Sequence, residues 1–174
     1  MTSREFLNRV SNGKGDFLQE FLSLLEKEGV AYCAIGGLAV NAYAEPVVSL
    51  DLDVVIVADG LERLLRALRR RFAVTEHPNS MNVSTPSSDL RIQIQTDPRY
   101  QPFISRSRAR KLLGYDMRVA AIEDVLQGKT WAAMDPSRRA SKRHKDFADI
   151  LRLVETRGGL ISALPDSLKR ELGL

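Results

Sequence analysis

The segment Leu50-Asp51-Leu52-Asp53-Val54-Val55-Ile56-Val57 constrains this chain more than any other. Its β-branched content argues for a strand. Successive strand side chains point to opposite faces, so Asp51 and Asp53 project from the same face with Cα atoms about 6.5 Å apart. Leu50, Leu52 and Val54 then face the core. Two carboxylates held this way can converge on a hard divalent cation, and Mg²⁺ takes such oxygen ligands together with water and substrate phosphates. The plainer account is a half-buried strand whose aspartates are simply its solvated face.

The segments around this strand read as a mixed α/β chain. Phe17, Leu18, Phe21, Leu22, Leu24 and Leu25 recur at helical spacing, and Gly29 follows where a C-cap glycine would sit. Val30 to Ile35 is short and apolar like a buried strand, and Gly36-Gly37 ends it before a helical stretch over Leu38 to Ala44. After the acidic strand come a leucine-rich helix, Leu61 to Arg71, and further strands between Phe72 and Gln95. Met81 to Thr85 and Leu90 to Gln95 have the form of a hairpin. An irregular basic stretch, Arg106 to Lys111, precedes helices at Ile122 to Met134, Lys142 to Glu155 and Pro165 to Leu172. This order predicts a mixed β-sheet flanked by helices, with a core over about residues 16–120 and a helical extension over 121–174.

At 174 residues and 44% hydrophobic composition, the chain is expected to form one domain with its own core. Cys33, the single cysteine, lies inside an apolar run and reads as a small buried hydrophobe. No apolar run approaches the roughly 20 residues that cross a bilayer, and the N-terminus lacks a secretory pattern, so the expected location is the cytoplasm. A net charge of +4 permits a nucleotide or RNA partner without requiring one.

Gly36-Gly37 sits between a strand and a helix, where backbone N–H groups can cradle phosphate oxygens. Ala34-Ile35-Gly36-Gly37-Leu38-Ala39-Val40-Asn41-Ala42-Tyr43, followed by Ser49-Leu50-Asp51-Leu52-Asp53-Val54-Val55-Ile56, resembles the signature of the nucleotidyltransferase superfamily. In that family a Gly-Gly or Gly-Ser turn precedes a helix, and an Asp-x-Asp or Asp-x-Glu strand follows. The resemblance implies a polymerase beta-like nucleotidyltransferase fold, an NTP held at the glycine turn, and Mg²⁺ or Mn²⁺ held by Asp51 and Asp53. Ile122 to Ala132 and Arg143 to Ile150 look like the paired helices of a bacterial branch that includes the abortive-infection type IV toxins. That likeness implies site roles for Lys129 and Asp146, and a partner protein of a toxin–antitoxin pair. The plainer account leaves Asp146 and Asp149 on a surface, paired with Lys142, Lys145 or Arg152.

One position departs from the pattern. Active transferases of this family carry a third carboxylate on a neighbouring strand, which here reads Leu90-Arg91-Ile92-Gln93-Ile94-Gln95. Its apolar residues face the core, so Arg91, Gln93 and Gln95 face the acidic pair, and Gln93 stands where the carboxylate is expected. Glutamine can coordinate a cation but cannot act as a base near neutral pH. Asp89 and Asp97 flank this strand as turn residues. The expected set is therefore Asp51, Asp53, Lys129 and Asp146 for chemistry, with Gly36, Gly37, Ser49, Arg91 and Gln93 around the nucleotide.

These residues favour an enzyme that transfers a nucleotidyl group to a hydroxyl of RNA, protein or a small molecule. The alternative is a module that kept the fold and lost turnover, for which Gln93 speaks. A third reading is a nucleic-acid-binding module using the basic runs Arg106 to Lys111 and Arg138 to Lys145.

Overall fold

A computed structural model describes all residues, Met1–Leu174. The helices are α1 (Ser3–Val10), α2 (Phe17–Lys27), α3 (Gly36–Val40), α4 (Ala58–Arg69), α5 (Gln101–Arg106), α6 (Ile122–Met134), α7 (Ala140–Thr156) and α8 (Asp166–Leu172). The strands are β1 (Tyr32–Ile35), β2 (Asp51–Ile56), β3 (Ala73–His77), β4 (Ser80–Thr85), β5 (Ser88–Gln95), β6 (Arg108–Leu112) and β7 (Tyr115–Val119). They form one mixed sheet in the order β3-β4-β5-β2-β1-β7-β6. The β2–β5 and β1–β7 pairs are parallel, and all others are antiparallel.

The predicted α/β architecture is present, and alternation along β2 and β5 explains how the sheet is seated. Leu52 and Val54 on β2, with Leu90, Ile92 and Ile94 on β5, are buried, while the residues between them face the other side. β1 lies between β2 and β7 and buries Cys33, Ala34 and Ile35 consecutively, as a strand covered on both faces does. Helices α2 and α4 pack on each other, with α2 against β5 and α4 against β3. Helices α3 and α5 pack on β1 and β2, and α6 and α7 close over α3. The buried apolar side chains join one cluster that runs from Leu7 to Leu168. No helix is long and apolar enough to cross a membrane.

Local caps fix the helix ends. Thr2 accepts from the Glu5 N–H while the Glu5 carboxylate accepts from the Thr2 N–H, a reciprocal capping box that starts α1. Asp16 caps α2 by accepting from the Gln19 N–H, and its other contacts, the Tyr115 hydroxyl and the Arg4 guanidinium, tie α1 and β7 to that helix end.

Several elements differ from the sequence reading. Arg106 to Lys111 was expected to be irregular, yet Arg108–Leu112 is a strand paired with β7. Its sequence, Arg-Ala-Arg-Lys-Leu, lacks apolar alternation because it is the exposed edge of the sheet, where charged side chains discourage further pairing. The connecting turn, Leu113-Gly114, has φ of 54° and 82°. A two-residue hairpin turn of this hand needs positive φ at both positions, and leucine in place of the usual Asn or Asp hides it. The helix expected over Leu38 to Ala44 is the shorter Gly36–Val40, which starts on the glycines themselves. Helices α1 and α5 had no counterpart in the sequence reading.

Candidate active site

The parallel register of β2 on β5 sets Asp51 beside Arg91 and Asp53 beside Gln93. On the opposite side of β2, Ile35 pairs with Asp53, so the glycine turn begins one residue from the acidic strand. Gly36 has φ of 69°, and a Cβ placed there would lie 2.1 Å from Asp53 Oδ2. Only glycine satisfies both the left-handed backbone and that approach. Glycine turn and carboxylate pair therefore meet in space.

The second wall comes from α6 and α7. Lys129 is 7%, Asp146 1% and Asp149 4% exposed, which removes the surface account of these aspartates. Lys129 Nζ donates to Asp146 Oδ1 at 3.0 Å and lies 2.6 Å from Asp149 Oδ2. Arg138 Nε holds Asp146 Oδ2 at 2.7 Å, and Arg152 Nη1 holds Asp149 Oδ1 at 2.8 Å. A Cβ on Gly37 would touch both Asp149 Oδ2 and Lys129 Nζ, so the second glycine is one contact between the walls.

Between the walls is a cavity of about 240 Å³, lined mainly by polar groups. Gly36, Gly37, Ser49, Asp51, Asp53, Gln93, Lys129 and Asp146 all line it. Arg91 does not line it but meets a residue that does, with Nη2 2.7 Å and Nε 2.9 Å from Asp51 Oδ1. Lys142 Nζ approaches the other oxygen of Asp51 at 3.7 Å. Asp53 has no ion-pair partner.

Burial pushes the Asp53 carboxyl up to about 6, the nearby Lys129 ammonium draws it back, and the neighbouring Asp51 raises it again. For Lys129, burial pulls the ammonium down, but Asp149 and Asp146 more than reverse this and leave it above the ordinary lysine value. Two carboxylates and the Gln93 amide, with no third carboxylate, histidine or cysteine beside them, fit one hard divalent cation whose other ligands are water and phosphate.

Sequence reasoning did not assign Tyr100, Gln95, Arg138, Lys142 and Lys145 to the site, and all line the cavity. The basic run carried part of the signal, because Lys142 and Lys145 fall three apart on one face of α7, while Arg138 reaches the cavity from the bend before that helix. Asp89 and Asp97 do not line the cavity. Asp97 accepts from the Arg99 N–H at a turn, and Asp89 accepts from Asn12. Trp131 packs against Tyr100 and Phe103, and His144 is exposed beside Phe147.

No family model matches the chain, and no curated protein does. Among solved structures the fold is that of nucleotidyltransferases. The lincosamide antibiotic adenylyltransferase LnuA, bound to lincomycin, superimposes with a TM-score of 0.57 at 14% identity, over 82% of this chain and 99% of that one. ANT(2'')-Ia in complex with adenylyl-2''-tobramycin gives 0.56 at 14% identity, over 84% and 95%. An antigenic nucleotidyltransferase-like protein from Paracoccidioides brasiliensis gives 0.52 at 18% identity, over 88% and 78%.

Proposed function

We propose that this chain is a metal-dependent nucleotidyltransferase that moves a nucleotidyl group from an NTP to a hydroxyl acceptor. The observation that carries this reading is the approach of Gly36 to Asp53, which puts the glycine turn and the acidic strand in one cavity with Lys129. Asp51 and Asp53, with the Gln93 amide, would hold Mg²⁺ or Mn²⁺. The cation would supply charge neutralisation at the phosphates and orient them. Gly36, Gly37 and Ser49 border the space for the triphosphate, and Arg138, Lys142 and Lys145 offset its charge.

The acceptor oxygen attacks the α-phosphorus in line, the bond to the bridging oxygen breaks, and pyrophosphate leaves. Gln93 cannot take the hydroxyl proton. With both strand carboxylates engaged by the cation, the hydroxyl proton leaves to solvent water. Lys129 and Asp146 build the wall that faces the phosphates. Their meeting in the cavity supports the likeness to abortive-infection toxins, and with it a cytoplasmic toxin–antitoxin role whose acceptor is RNA, a protein hydroxyl or a small molecule.

A second reading rests on Gln93, whose amide occupies the place of a base. It makes the chain a nucleotide-binding or interaction module without turnover. Transfer of label from each α-labelled NTP to RNA and protein of a bacterial extract, with Mg²⁺ or Mn²⁺, separates the two. Labelling by the wild type and not by Asp51→Asn/Asp53→Asn is the expected result. A folded, NTP-binding protein that labels nothing leaves the module reading.

A further inference from the structure

We propose that Arg91 is a built-in competitor for the metal, a guanidinium that occupies Asp51 until a phosphate-bearing ligand draws it away. This inference rests on Asp51 and Asp53 being the metal carboxylates. The register sets Arg91 directly beside Asp51, on a neighbouring strand whose backbone is about 4.8 Å away. Both Nε and Nη2 then converge on Asp51 Oδ1, and Lys142 covers Oδ2 from α7. Asp51 therefore meets a cation at each oxygen, while Asp53 meets none.

The replacement of a third carboxylate by Gln93 gives this arrangement its sense. Asp51, facing Arg91 and Lys142, is already neutralised, so an incoming divalent cation gains little there unless Arg91 leaves. Leaving is easy. The Arg91 side chain is 61% exposed, and its guanidinium has no partner other than Asp51. Phosphate offers a guanidinium the same two-pronged geometry as a carboxylate, so a triphosphate can take Arg91 over as it brings the cation in. Metal binding to the free protein is then weak, and the site assembles fully with the nucleotide present.

The test is Mn²⁺ binding without nucleotide, followed by loss of the free-ion electron paramagnetic resonance signal and by calorimetry. The chains compared are the wild type, Arg91→Ala, Arg91→Gln, Lys145→Ala and Asp51→Asn. Arg91→Ala and Arg91→Gln are expected to bind Mn²⁺ about tenfold more tightly than the wild type. Lys145→Ala, which removes a cation from the same cavity but not from Asp51, is expected to stay within about twofold. An equal gain in Lys145→Ala would show a general field effect and overturn the inference. So would binding that is lost in Asp51→Asn but unchanged in both Arg91 variants, and that outcome leaves the metal reading standing. Absence of Mn²⁺ binding in every chain removes the metal reading itself, and this inference with it.

Discussion

The β2 wall and the α6–α7 wall each hold a pair of aspartates, Asp51 with Asp53 and Asp146 with Asp149, of which all but Asp149 line the cavity, and the pairs differ in how their charge is met. On the helical wall, each oxygen of Asp146 and Asp149 faces a cation from Lys129, Arg138 or Arg152, and the group is almost fully buried. On the strand wall, Asp51 is paired at the cavity edge and Asp53 is not paired at all. Buried carboxylates need compensation to be tolerated, so the helical wall has the organisation of a support. A carboxylate without an ion pair, offset only at longer range by Lys129, Arg138 and Lys142, is costly in the free protein and is suited to a ligand that brings positive charge.

The sharpest way to break this contrast is Lys129→Met. It leaves Asp146 and Asp149 buried with one cation fewer, and the expected loss in urea unfolding is about 3–5 kcal/mol. Asp51→Asn removes a half-exposed charge whose partners stay solvated, and its expected effect on stability is within about 1 kcal/mol. If the two variants unfold alike, the helical wall is not the support described here.

The strand wall was legible because its signals are local. Alternation placed Asp51 and Asp53 on one face and set Arg91, Gln93 and Gln95 opposite them, and the glycine pair marked the turn. The helical wall was only half legible. Lys129 and Asp146 emerged through a family resemblance, whereas the depth at which they sit depends on α6 and α7 closing over α3, which no periodicity reports. Asp149 fell to the surface in the sequence reading because its spacing from Asp146 and Arg152 is that of any exposed ion-pair helix. β6 was missed for a related reason. An edge strand stabilised by its partner carries no pattern of its own, and Leu113 disguised the turn.

A smaller effect with the opposite sign is expected at Asp53. Its folded pKa of about 6 lies above the 3.8 of a free aspartate. Below pH 4 the carboxyl is protonated in both states and nothing is lost. Between pH 4 and 6 the unfolded chain releases this proton while the folded one retains it, so stability falls as pH rises, and the full penalty is present above 6. Asp53→Asn should therefore be more stable than the wild type at pH 7, by on the order of 2 kcal/mol. The gain should disappear below pH 4. Melting temperatures of the two chains across this range check it, and a constant difference would mean that the charge of Asp53 is met by a partner after all.

The smallest effect sharpens the comparison where the walls are joined. Arg152 on α7 holds Asp149 with Nη1, while its Nη2 donates to Asn41 Oδ1 at 2.8 Å and to the Glu45 carbonyl. Asn41 in turn accepts from the Val47 N–H and donates to the Val47 carbonyl. This chain of contacts runs from the compensated wall to the loop that enters β2, and the loop carries Ser49 and delivers Asp51. Arg152→Ala cuts it and takes one cation from Asp149, which keeps Lys129 at its other oxygen, so the expected cost in global stability is about 1–2 kcal/mol. The local consequence is larger than the global one, because Val47 and Val48 are exposed and contribute no apolar burial to hold the loop. Amide exchange of residues 45–49 should accelerate while exchange in β1 and β5 stays unchanged. Labelling by the variant should fall through a higher KM for the NTP with little change in kcat, since the carboxylates remain and only their delivery is loosened. If exchange in the loop is unaffected, Arg152 serves Asp149 alone and the two walls are tied without the loop, at Gly37 and through Lys142 to Asp51.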